Sequence, residues 1–76
     1  MNPELIILEA LQSSYPRGLR ENILNSDLRV EGNGLSMTDM RRHCRNLEAR
    51  KQVTIVEAQD YTLITITPDG LARLAE

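Results

Sequence analysis

Tryptophan and phenylalanine are missing from these 76 residues, and Tyr15 and Tyr61 are the only aromatic side chains. The core must therefore be aliphatic. That also argues against single-stranded nucleic-acid binding by base stacking, which needs an aromatic platform. There is one cysteine, Cys44, so neither an internal disulfide framework nor a cysteine-based zinc knuckle can form within one chain. A lone thiol and the lack of a signal-peptide pattern fit a reducing compartment, and a cytoplasmic location is expected. The longest apolar run, Leu5–Leu8, is far too short to span a bilayer. No glycine-rich phosphate loop is present: Gly32-Asn33-Gly34 lacks both a preceding strand and a following Lys-Ser/Thr. Acidic residues are scattered, without the spacing of a paired-carboxylate site. His43 and Cys44 are adjacent, which points them in different directions on a helix and makes them a poor base and nucleophile pair. No enzyme, metal or cofactor is expected.

What is present suits one small globular domain over residues 1–76. The hydrophobic share is 41%, enough for a core but a small one at this length. Net charge is −2, which gives no general attraction to polyanions. The distribution is more informative. Residues 36–51 hold five basic side chains (Arg41, Arg42, Arg45, Arg50, Lys51) against Asp39 and Glu48, a local +3 that leaves −5 for the remainder. A basic segment on an acidic body is a local electrostatic footprint.

Asn2-Pro3-Glu4 is a helix start, with Asn as cap, Pro at the first helical position and Glu at the positive end of the dipole. The helix is expected to run to about Ser13, burying Leu5, Ile7, Leu8, Ala10 and Leu11. Pro16 and Gly18 end it. A second helix is expected from Leu19 to about Asn25 or Leu28, with Leu19, Ile23 and Leu24 on its buried side. Arg29 to Gly34 reads as turn and loop. The third helix, at about 36–51, carries the clearest signals. Ser36 caps it, Asp39 completes a box-like pair, and Leu35 and Met40 suit a hydrophobic staple. Met37, Met40, Cys44 and Leu47 recur three and four residues apart, an apolar stripe on one side. Thr38, Arg41, Arg42, Arg45 and Asn46 fall on the other. Arg50 and Lys51 close the helix as cations at its negative end.

Beyond Lys51 the period changes. Val53–Val56 and Leu63–Thr67 are β-branched, and Glu57–Tyr61 connects them, so a hairpin is expected with Ile64 and Ile66 facing the helices. Thr67-Pro68 opens a last helix through Ala75, with Leu71 and Leu74 packing back on the body.

Two segments carry a family resemblance. TDMRRHCRNLEARKQV resembles the recognition helix of small winged-helix transcription regulators, of prokaryotic or phage type, running into the first wing strand. Leu47, Arg50-Lys51 and Val53 match its anchor, turn and strand positions. TLITITPDGLARL is similar to the second wing strand, the Thr-Pro-x-Gly junction and the closing helix of multidrug-resistance-type and related regulators. Together they cover roughly half the chain, and the helix order extends the likeness to nearly all of it. The resemblance implies an α+β winged helix-turn-helix, three helices followed by a two-stranded wing and a short helix. A short strand near Arg17–Leu19 often completes that sheet. It also implies double-stranded DNA as partner, met by Thr38, Arg41, Arg42, Arg45 and Asn46, since Arg pairs well with guanine and Asn with adenine.

The wing departs from the pattern. No Lys or Arg occurs from Gln52 through Ala72, and Glu57 and Asp60 lie near the tip, where phosphate would repel them. The loop before the third helix is longer than a tight turn. An interaction module is therefore the competing expectation: a winged helix that meets a protein partner through the acidic hairpin, or self-associates through its first or last helix, with little DNA binding.

Overall fold

The computed structural model describes residues 2–32 and 34–76. The expected loop around Gly32-Asn33-Gly34 is thus seen only at its two glycines; Asn33 lies outside the described residues. Among these there are four helices and a three-stranded antiparallel sheet: α1 (Pro3–Gln12), β1 (Leu19–Arg20), α2 (Glu21–Val30), α3 (Met37–Ala49), β2 (Val53–Glu57), β3 (Thr62–Ile66) and α4 (Pro68–Ala75). The fold is α+β, as expected.

The caps explain most of the boundaries. The Asn2 side chain accepts from the Glu4 N–H at 2.9 Å, and Pro3 holds the first helical position. Ser36 Oγ accepts from the Asp39 N–H at 3.1 Å. The other half of the expected box is not made, because the Asp39 carboxylate turns to Arg42 Nη2 at 3.3 Å. Thr67 Oγ1 accepts from the Gly70 N–H at 3.2 Å and donates to the Lys51 carbonyl at 2.7 Å, which starts α4 and ties it to the end of α3. A Cβ on Gly70 would run into the Gln52 carbonyl oxygen, so the close seat of α4 requires glycine there.

Two expectations about α2 are corrected. It begins at Glu21, not Leu19, because Leu19 and Arg20 form β1 and pair with Ile64 and Leu63 of β3. It also runs past Leu28 to Val30, ending where Gly32 takes a positive φ of 78° and its N–H reaches the Arg29 carbonyl at 3.0 Å. With Leu19 outside the helix, its buried face is set by Leu24 and Leu28, with Asn25 beside them, and Ile23 is left 44% exposed. Buried Asn25 is satisfied by donating Nδ2–H to the Leu35 carbonyl at 2.9 Å, which fixes the approach to α3.

The sheet order is β1-β3-β2. Strand β3 is central, with Ile55 and Leu19 both opposite Ile64. Ile64 and Ile66 point at the helices and are buried, as the alternation requires. The core joins Ile7, Leu8 and Leu11 of α1, Leu24 and Leu28 of α2, Met40, Cys44 and Leu47 of α3, and Val53. Leu71 and Leu74 of α4 and Met37 of α3 pack on its edge, half-buried. Full burial of one such aliphatic side chain contributes about 1.5–3 kcal/mol. Helix α1 touches α2, α3, α4 and β3, and it is the common support on which α3 is held.

Candidate nucleic-acid interface

Helix α3 docks through Met40, Cys44 and Leu47, each nearly or fully buried. Helical geometry then sends Thr38, Arg41, Arg42, Arg45 and Asn46 outward, and all five are exposed. The stripe that docks the helix thereby brings the five sequence-predicted residues onto one solvent face. Arg50 is not part of it. It caps α3 and donates from Nη1 to Glu4 Oε1 at 2.9 Å, across to α1. Lys51 follows with a positive φ of 63°.

The arginines do not project freely. Arg41 meets Glu21, the first residue of α2, through two hydrogen bonds: Nε to Oε2 at 3.0 Å and Nη2 to Oε1 at 2.6 Å. Glu21 retains 19% side-chain exposure, against 58% for Arg41. Arg42 pairs with Asp39 one turn back on the same helix. Arg45 donates from Nη1 to Glu48 at 3.4 Å and from Nη2 to Glu57 at the end of β2. The charges respond accordingly. The hydrogen bonds from Arg41 hold the Glu21 carboxyl below the usual carboxylate range, against a smaller opposing effect of burial. Arg41 and Arg45 are pushed above the ordinary guanidinium range, chiefly by their hydrogen bonds to Glu21 and Glu57.

Between these two ion pairs lies an open cavity of about 250 Å³ bordered by Cys44, Ile55 and Ile64. Cys44 is 1% exposed; burial first, and the Glu21 charge second, push its thiol up to about 12. It is a packing residue of the apolar stripe. His43 is half-buried, and its Nδ1 has no hydrogen-bond partner among the described residues. No group of three or more His, Cys, Asp or Glu is arranged among the described residues to hold a metal. No described helix is long and apolar enough to cross a membrane.

Sequence reasoning finds the outward face of α3 but misses what meets it. Glu21 sits 20 residues before Arg41, and Glu57 lies 12 after Arg45, so neither is visible to local periodicity. Glu57 is a strand residue turned toward α3, where the sequence places it at the hairpin tip. The tip itself carries Asp60 and Tyr61, and the Arg20 guanidinium lies 4.6 Å from the Tyr61 ring centroid. That contact adds a cation beside the hairpin, brought there by the pairing of β1 with β3, a short strand that the family resemblance allows near Arg17–Leu19 and that local periodicity does not show.

No family model matches the sequence, and no curated protein is similar to it at a significant level. Among solved structures, 99% of the chain superposes on half of Bordetella bronchiseptica BpsR, a protein whose DNA binding is regulated by 6-hydroxynicotinic acid, with a TM-score of 0.77 at 21% sequence identity. The chain thus spans about half the length of that protein and shares the fold of that half.

Proposed function

We propose that this chain is a winged-helix DNA-binding module of a transcription regulator, reading duplex DNA through α3. Thr38, Arg41, Arg42, Arg45 and Asn46 face the major groove and the adjoining phosphates, and the β2–β3 hairpin is the wing. The observation that carries this reading is the outward face of α3: three guanidiniums, a hydroxyl and a carboxamide on one exposed side of a helix whose other side is locked into the core. The shared fold with a DNA-binding protein supports it. Base edges are read by the paired donors of arginine and by the Asn46 amide, while phosphate contacts set position. The hairpin contributes no cation, so binding is modest and rests on one helix.

Anisotropy titration against a mixed pool of duplexes at several salt concentrations tests the reading. Contacts from three arginines give a slope of log K against log salt of about −2 to −3. Replacing Arg41, Arg42 and Arg45 together by Ala removes the binding. A flat response of the unaltered chain to every duplex ends the proposal.

The competing reading, a protein-interaction module, is favoured by a specific feature of the hairpin. Val56 and Tyr61 are 51% and 41% exposed, beside the acidic Glu57 and Asp60. A partner lost when Glu57 and Asp60 become Lys supports it, and an unchanged set of partners counts against it. Sedimentation of the free chain separates self-association from a foreign partner.

A further inference from the structure

The ion pairs of Arg41 and Arg45 differ in which part of the guanidinium they occupy. Arg41 is held from the side, through Nε and Nη2. Among the described residues nothing bonds to its Nη1, so the end of the fork formed by Nη1 and the second Nη2 hydrogen is left without a protein partner on a side chain that is 58% exposed. Arg45 is met by two different carboxylates, Glu48 on Nη1 and Glu57 on Nη2, so each of its terminal nitrogens already carries one carboxylate. The anchors differ too. Glu21 is largely buried at 19% side-chain exposure and sits in the first turn of α2, where a carboxylate is favoured by the helix dipole. Glu57 is 61% exposed on the hairpin, where solvent and phosphate compete for its partner.

We propose that Glu21 and Glu57 sort the arginines of α3. Glu21 is a positioning residue that holds Arg41 with one guanidinium edge free to read a base. Glu57 competes with phosphate for Arg45. The inference rests on the DNA-binding reading above and extends it to two carboxylates outside α3. A side-held arginine has already lost much of its rotamer freedom, so it forms an end-on pair with guanine O6 and N7 at a lower ordering cost than a mobile one. Arg45, by contrast, can neutralise a phosphate only when Glu57 lets go. The Glu57 charge otherwise stays beside the phosphate and repels it. The hairpin thus subtracts from the DNA affinity of the helix next to it, and the start of α2 adds selectivity.

The two carboxylates therefore have opposite signs, which a simple charge effect cannot reproduce. Glu21→Gln, Glu57→Gln and a control on α1, Glu9→Gln, each remove one negative charge, and circular dichroism melts establish that each variant is folded. Glu57→Gln binds duplex DNA more tightly than Glu9→Gln by up to about fivefold, the scale of an exposed ion pair. Its salt slope steepens by up to about 0.9, one more phosphate contact. Glu21→Gln binds more weakly than the unaltered chain despite losing a negative charge, and its preference for the best duplex over a scrambled one shrinks. Arg41→Lys, which keeps the charge without the fork, loses the same preference with an unchanged salt slope. If Glu57→Gln matches Glu9→Gln, the competition is absent; if Glu21→Gln tightens binding as Glu9→Gln does, the positioning is absent. Either result overturns this inference while leaving the DNA-binding reading in place. Silence from every variant removes both readings together.

Discussion

At the scale of single residues, Cys44 shows how a reactive group is made inert by its place in a pattern. It continues the stripe of Met40 and Leu47 and is 1% exposed. Burial, with a smaller contribution from the Glu21 carboxylate, pushes the thiol up to about 12. Arg45, which pulls the other way, is outweighed. The thiolate is the nucleophile, and a folded-state value so far above that of a free thiol leaves almost none of it near pH 8. Labelling by an aromatic disulfide reagent at that pH is expected to proceed only through opening of the fold. Its rate should track stability across a denaturant series, and between pH 7 and 9 it should rise as a free thiol's does while staying far slower, because the thiolate that reacts is that of the opened state. Rapid labelling of the native protein at pH 8 would show that the cavity beside Cys44 admits the reagent. The neutral state is also the one folding favours, so this group's contribution to stability is complete below its unfolded value and is lost as pH rises toward 12.

At the scale of elements, the end of α3 is the clearest case of local geometry that can be improved. The Lys51 N–H reaches the Glu48 carbonyl at 2.9 Å and the Gln52 N–H reaches the Leu47 carbonyl at 2.9 Å, the bond pair of a Schellman stop with Lys51 in the left-handed position. A lysine there, at φ 63°, strains its Cβ against the backbone, and glycine does not. Lys51→Gly is therefore expected to stabilise the fold by roughly 0.5–1 kcal/mol, measurable as a raised urea midpoint with an unchanged slope. The same element shows what a sequence discloses. Ser36, the 3–4 spacing from Met37 to Leu47 and the switch to β-branched residues at Val53 are local signals, and they correctly locate α3 and the hairpin. Asn2-Pro3 and Thr67-Pro68 do the same for α1 and α4. The start of α2 is hidden because Leu19-Arg20 is a strand only by virtue of Ile64 and Leu63, more than 40 residues away. Its far end is hidden because Val30 is 87% exposed, so the last turn carries no apolar period. At the candidate interface, Thr38, Arg41, Arg42, Arg45 and Asn46 are legible as a face, because a helix fixes which residues share a side. Glu21 and Glu57 are not, because tertiary folding brings them there.

At the scale of the whole molecule, the question is what keeps α3 fixed while its outer face is solvated and charged. Apolar burial supplies most of the answer, but one polar network spans three helices. Glu4 of α1, with only 12% of its side chain exposed, accepts from Arg50 Nη1 at 2.9 Å at the end of α3. It also accepts from Arg73 Nη1 at 3.0 Å in α4, and that same nitrogen donates to Gln52 Oε1 at 2.8 Å. An exposed ion pair contributes little, and Arg50, at 56% exposure, belongs to that class. Arg73 is different. At 20% exposure it cannot turn wholly to water, so removal of Glu4 leaves a partly desolvated cation with the Gln52 oxygen alone. Glu4→Ala is expected to cost about 1–3 kcal/mol on this account, and Glu4→Gln, which keeps an acceptor in place, distinctly less. Because the network joins α1, α3 and α4, the loss should appear as one cooperative transition shifted to lower denaturant. Helix signal and Tyr fluorescence would remain superimposed, rather than α1 melting first. A local transition in α1 alone, or a cost for Glu4→Ala no larger than that of a solvent-exposed Glu9→Ala, would mean that α3 is held by its apolar stripe without help from the ends of its neighbours.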